Sequence, residues 1–312
     1  MRYSLLSQFR GTLLGALLAE ALFAQAYPQS KTHIPSVDWG KITVMGAESL
    51  IALGKLDVED WQERCLPVFP HLDTIEGISP RAILTVLPIA LFFHENEVKL
   101  RHNLLIAVNL WQDDPLIRDC GLAIGYAIAR SLVKTLNRAT LIPQTISFLG
   151  NTETPIPQYL LKINKFLEQG AGLERVVTEL NREQKPPGAI ALAFYCFLST
   201  LEDFRLSVER AKNQDEQSQI FGMHGLVSVI TAALSGAYNS ITGIPLTWRL
   251  SGAVKNSQAL TKWGISNEAQ MLKLADCLFA AWAGMYQPTQ NSQGLNGKAA
   301  IASPRIIKLR SR

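Results

Sequence analysis

The stretch Phe221–Trp248, FGMHGLVSVITAALSGAYNSITGIPLTW, carries no Asp, Glu, Lys or Arg. Apolar or small residues occupy every face of a helix drawn from Gly225 to Tyr238, which leaves no side for water. Gly243 and Pro245 end that helix. A helix with no solvated face belongs at the centre of a domain built from other helices. Its small residues Ala232, Ala233, Ser235, Gly236 and Ala237 let a neighbour approach the backbone closely. A membrane span is excluded by content. It needs an apolar run of about 18 residues or more, and Ser228, Thr231, Ser235, Asn239, Ser240 and Thr242 interrupt any such run.

A partner for this helix stands near the N-terminus, where Gly11, Gly15 and Ala19 recur at i, i+4 and i+8 and form a small-residue stripe suited to close packing. Arg2, Arg10 and Ala24-Gln25-Ala26 imitate a signal peptide, but Glu20 interrupts the apolar segment, and a first core helix is expected. Further helices are expected over 37–53, 57–69, 81–94 (kinked at Pro88), 99–111, 116–136, 158–169, 172–183, 189–201, 204–212 and 266–286. Residues 140–157 and 213–219 read as loops, 251–264 as a polar connection with room for a partly helical stretch, and Pro186-Pro187-Gly188 as a break. No segment alternates as a strand does. The expectation is an all-α fold, a single multi-helix domain over residues 1–286.

From residue 287 the chain turns to Gln, Asn, Ser and Gly, the composition of a disordered tail. The tail is basic: Lys298, Arg305, Lys308, Arg310 and Arg312 meet no acid, so it suits an acidic partner or membrane surface. A net charge of +4 over 312 residues calls for no nucleic-acid partner, and 47% hydrophobic with 18% charged residues suits a large core. The four cysteines lie far apart in apolar surroundings and form no C-x-x-C pair, so buried thiols and a reducing, cytoplasmic setting are expected.

Three motifs carry a family resemblance. Val227–Tyr238 followed by Ile244, Pro245 and Trp248 resembles the last core helix of the ADP-ribosylglycohydrolase family (the dinitrogenase reductase-activating glycohydrolase type). Ala47-Glu48-Ser49-Leu50 resembles the family's Ala-Glu-Ser-Leu, and Pro88 matches its Asn-Gly-x-x-Met-Arg-x-x-Pro. The resemblance implies two Mg²⁺ ions held by a Thr-Asp-Asp-Thr opening and a Gly-Gly-Asp-x-Asp-Thr turn. Here the first motif falls on Val37, Asp38, Trp39 and Gly40, and only Asp38 survives. Counted back without gaps from Gly236-Ala237-Tyr238, the two Asp positions of the second fall on Met223 and Gly225, and its Thr on Leu226. A second register puts Asp215 and Gln217 on the Asp positions, with about eight extra residues that only a loop tolerates. Pro80, Arg81, Leu84 and Thr85 stand in place of the family's Asn, Gly, Met and Arg, and Glu20 stands at an acidic position closing the first helix.

Glu20, Asp38, Asp215 and His224 are therefore the candidate ligand-site residues, with no catalytic set and no metal set complete. The ordinary alternatives are a helix-end acid for Glu20, an N-cap for Asp38, and a hydrogen-bonded structural group for His224. His94 and His102 are expected in solvent, and Asp114 as an N-cap ahead of Pro115. Hydrolysis of an ADP-ribosyl bond by two metals needs carboxylates that this chain lacks. The expected function is a non-catalytic relative that binds a nucleotide-like ligand or a protein, without a metal cofactor. The alternatives are a hydrolase with a rearranged site using Glu20, Asp38 and Asp215, and a scaffold protein.

Overall fold

The computed structural model describes residues 3–26, 37–69, 79–111, 113–181, 186–215, 225–250 and 258–285. In chain order the helices are α1 Leu5–Ala26, α2 Trp39–Leu53, α3 Val58–Cys65, and α4 Val86–Phe93, which a 3-10 turn, Pro80–Thr85, precedes. Then come α5 Glu97–Trp111, α6 Pro115–Leu132, α7 Leu141–Leu149, α8 Ile156–Glu168, α9 Leu173–Asn181 and α10 Pro186–Ser199. The chain continues with α11 Phe204–Asp215, α12 Leu226–Asn239, α13 Leu246–Leu250, α14 Gln258–Trp263 and α15 Glu268–Trp282. Among the described residues there is no strand, and no helix is long and apolar enough to cross a membrane. The expected tail from residue 287 and His224 lie outside the described residues.

Helix α12 lies at the centre, buried from Leu226 to Ala237, with α1, α6, α10 and α11 packed around it. Its seam with α1 is antiparallel and made of backbone. A Cβ on Gly236 would press into the Gly11 carbonyl, one on Gly15 would stand 2.7 Å from the Ala232 oxygen, and one on Gly225 2.9 Å from the Phe23 ring. The stripe Gly11, Gly15 is therefore where the two helices touch. Beyond the seam, Phe9, Leu13, Leu14, Leu17 and Leu18 are at most 1% exposed, and Arg10 pairs with both oxygens of Asp276 to tie α1 to α15. Helices α14 and α15 close over α1 and α2 from the other side.

Several boundaries differ from the sequence reading, each for a local reason. Pro88 does not kink a continuous helix: residues 80–85 wind as a 3-10 turn and α4 restarts at Val86, so Pro88 falls in a first turn where its missing N–H costs nothing. Pro186 and Pro187 open α10 instead of breaking the chain, for the same reason. Part of the supposed loop 140–157 is α7, whose Leu141, Ile142, Thr145, Phe148 and Leu149 are buried along one face. His94 is not in solvent. It is 5% exposed, its Nδ1 lies 2.7 Å from the Leu91 carbonyl, and its ring meets Phe9 and Trp282; burial pushes its pKa down. His102 is exposed, as expected. Asp114 caps α6 through the N–H groups of Leu116 and Ile117, and Asn267 caps α15.

Candidate functional site: a charged cluster at the end of the α1–α12 seam

The seam ends where α1 runs out and α12 begins, and there the polar residues gather. Glu20 is 5% exposed, one turn and a half from the end of α1. A carboxylate so deep in an apolar domain must be paired, because an isolated buried charge costs several kcal/mol or more. Arg81 Nη2 donates to Glu20 Oε1 at 2.5 Å, and the indole Nε1 of Trp263 donates to Oε2 at 3.0 Å. Lys262 Nζ stands 3.9 Å from Oε1. Both carboxylate oxygens are thus bonded by this chain's own donors.

Arg81 reaches Glu20 because Pro80, Ala82, Ile83 and Leu84 are buried around it and fix the 3-10 turn against the core. Trp263, fully buried, lies over the start of α2: a Cβ on Gly40 would stand 2.8 Å from its ring. A Thr at that position, which the family motif calls for, would collide with the indole. Lys41 arrives one residue later. Its stem lies across Gly264, whose φ of +64 and missing Cβ leave room for it.

Asp38 stands at the N-cap position of α2 but does not cap it. Its side chain accepts no hydrogen bond from that helix, which corrects the cap reading. Half-buried, its carboxyl is raised above the ordinary range by desolvation. Lys262, Lys41 and Arg81 pull it down, and Glu20 pushes it up. Those influences place Asp38 in one electrostatic neighbourhood with Glu20, Arg81 and the two lysines.

Asp215 is also brought here. Residues 213–215, read as loop, are the last turn of α11, and Asp215 is 1% exposed. The N-cap of α12 is Gly225, at φ +73, with no side chain to satisfy the first turn's N–H groups. Asp215 does so from another helix: it accepts from Val227 N at 3.2 Å and Ser228 N at 2.8 Å, and the Ser228 hydroxyl donates to it as well. Burial raises its pKa to about 7 against the pull of those bonds and of Arg81. Three of the four expected residues thus share one region, and the residue that links them, Arg81, was not among the candidates. One signal was available: Arg81 is the single charge in the apolar run Ile78–Phe93, and such a charge needs a partner.

The sequence profile described as ADP-ribosylglycohydrolase matches residues 1–287. The chain belongs to the ADP-ribosylglycohydrolase family. Among the 35 solved chains that match, one described as an ADP-ribosylglycohydrolase-related protein complex superposes with a TM-score of 0.60 at 17% identity, covering 89% of this chain and 99% of that one. At that identity the likeness establishes the fold. No curated protein matches.

The Mg²⁺ that the family implies meets a poor donor set in this member. Among the described residues no three His, Cys, Asp or Glu side chains gather closely enough to hold an ion. Glu20 already binds a guanidinium and an indole N–H, and Asp215 is taken up by a helix terminus. At an effective dielectric of about 20, unit charges roughly 4 Å apart interact by about 4 kcal/mol, and a dication doubles the figure. The charge of Arg81 therefore opposes a dication on Glu20.

Proposed function

We propose that this family member is non-catalytic and metal-independent, and that its charged cluster binds a nucleotide-like ligand without hydrolysing it. The observation that carries the reading is the bonding of Glu20, whose two oxygens are held by Arg81 and Trp263. A two-metal hydrolysis needs free carboxylate oxygens, and a hard cation takes nothing from Trp39, Gly40, Gly225 or Leu226 side chains. Cys65 and Cys196 offer no alternative nucleophile: burial pushes their thiols up to about 12, far from the thiolate that would react. Four free thiols also suit the reducing, cytoplasmic setting proposed here.

The part of the cluster open to ligand is Asp38 with Lys41 and Lys262, each partly exposed. Two ammonium groups beside one acceptor match a phosphate next to a sugar hydroxyl. A thermal-shift titration with ADP-ribose should raise the melting temperature, and Lys41→Ala and Lys262→Ala should reduce that rise. The non-catalytic reading is tested by assaying ADP-ribosyl-arginine and ADP-ribosyl-serine at several Mg²⁺ and Mn²⁺ concentrations. No release of ADP-ribose is expected. The uncommitted carboxylate of Asp38 favours the competing reading, a rearranged hydrolase. Metal-dependent release that disappears in folded Asp38→Ala and Asp215→Ala would establish that reading instead.

A further inference from the structure

We propose that Arg81 is a built-in replacement for a divalent cation, supplying from within the chain the positive charge that the buried Glu20 carboxylate requires. The proposal rests on the metal-independent reading above and adds the residue that makes it so. The acids of the cluster, Glu20, Asp38 and Asp215, come from elements remote in sequence: the end of α1, the start of α2 and the end of α11. Arg81 is the cation bonded to Glu20, at 2.5 Å, whereas at Asp38 the charges of Lys262 and Lys41 weigh more than its own.

The geometry separates Arg81 from the neighbouring lysines. Its side chain is 18% exposed and sits on a turn locked by buried neighbours, whereas that of Lys262 is 34% exposed and 3.9 Å from Glu20. An ammonium at that distance adds to the field without bonding. A guanidinium donates from fixed positions and stays charged at every accessible pH, as a metal ion does. Trp263 fills the adjoining space over Gly40 and takes the second Glu20 oxygen, so the Glu20 end of the cluster is closed by side chains. In the wild type the acids are not gathered tightly enough to hold an ion themselves. Removal of the guanidinium leaves oxygen donors without a counter-charge and lets them draw together around a hard cation.

The test is Mn²⁺ binding to the full chain, followed by loss of the free-ion paramagnetic resonance signal and by melting temperature. It compares wild type, Arg81→Ala, Arg81→Gln and Arg81→Ala/Glu20→Gln. The wild type should show no specific binding, Arg81→Ala and Arg81→Gln should bind Mn²⁺ at least tenfold more tightly and melt higher in its presence, and the added Glu20→Gln should abolish the gain. Should the single variants fail to fold alone, the same question is put by refolding with and without Mn²⁺. Recovery only with the ion supports the proposal, and recovery in neither condition overturns it. Folded Arg81 variants that ignore Mn²⁺ overturn the replacement role and leave the metal-independent reading standing. Mn²⁺ binding to the wild type that is lost in Asp38→Asn overturns both.

Discussion

The α1–α12 seam and the cluster at its end are made by the same two helices under opposite rules. Along the seam, Gly11, Gly15 and Gly236 bring backbone against backbone, and no charge enters. Five residues after Gly15, Glu20 is equally buried but satisfied by donors from two distant segments. The seam is specified by what its residues lack, namely Cβ atoms. The cluster is specified by what each side chain must be paid in return for leaving water. One is a matter of volume, the other of charge balance, and the two fail differently when mutated.

The largest effect belongs to the seam. Gly236→Leu places a branched side chain where even a Cβ would enter the Gly11 carbonyl and stand 3.0 Å from the Thr12 nitrogen. Overpacking ordinarily costs about 1–3 kcal/mol; here the obstacle is backbone of the central helix pair, so a loss above that range is expected. Chemical denaturation measures it. A midpoint near that of the wild type would show that α1 and α12 can part without loss, and the contrast with the cluster would vanish.

Next is the cluster's central pair. Glu20→Ala leaves a mostly buried guanidinium and the Trp263 N–H without their acceptor, and breaking a buried pair from one side costs about 3–5 kcal/mol. Arg81→Met with Glu20→Met removes both charges and should recover most of that loss, because such a pair contributes little over apolar packing. Stability measured over the full double-mutant cycle checks this. Independent, additive losses would mean that the two residues are not coupled.

Legibility follows the same division. The seam could be read in the sequence because small residues at helical spacing and a charge-free stretch are local signals. Both predicted the right helices, and α12 begins and ends within one residue of the expected bounds. Glu20 was legible as an acid out of place. Its partners were not, since Arg81 lies 61 and Trp263 243 positions away, and no local rule joins them. Asp38 misled because the N-cap rule is local, whereas its carboxylate answers to Lys262 and Lys41 across the fold. Asp215 read as loop because Asn213-Gln214-Asp215 is polar, yet α11 extends through it to serve a helix whose own cap, Gly225, has nothing to offer.

Smaller effects sharpen the cluster's internal ranking. Ser228→Ala removes one of the donors to Asp215 and should cost roughly 1 kcal/mol, the size of a single net hydrogen bond. Asp38→Asn should stay within about 0.5 kcal/mol of wild type, since that side chain caps nothing and bonds nothing in its own helix. The two melting curves, recorded side by side, check the order. A larger loss for Asp38→Asn would mark Asp38 as structural and weaken the case for its being free to meet a ligand.

The finest test is the pH dependence of Asp215, measured as the stability of the wild type minus that of Asp215→Asn. Burial raises this carboxyl from its ordinary value near 3.8 to about 7 in the folded chain. Below about pH 4 both folded and unfolded chains hold the proton, and the favourable contribution is fully present. Between about 4 and 7 the unfolded chain releases the proton while the folded chain keeps it, so the wild type loses stability relative to the Asn variant as pH rises. Above about 7 both are ionised and the difference levels off. His94 and the other titrating groups are common to both proteins and cancel. The Val227 and Ser228 donors and Arg81 act in the opposite sense, favouring the carboxylate. A difference that instead grows with pH would mean that these donors outweigh burial, and that Asp215 is an ionised cap throughout. Denaturation midpoints at half-unit steps from pH 4 to pH 8 separate the two outcomes by the sign of the slope alone.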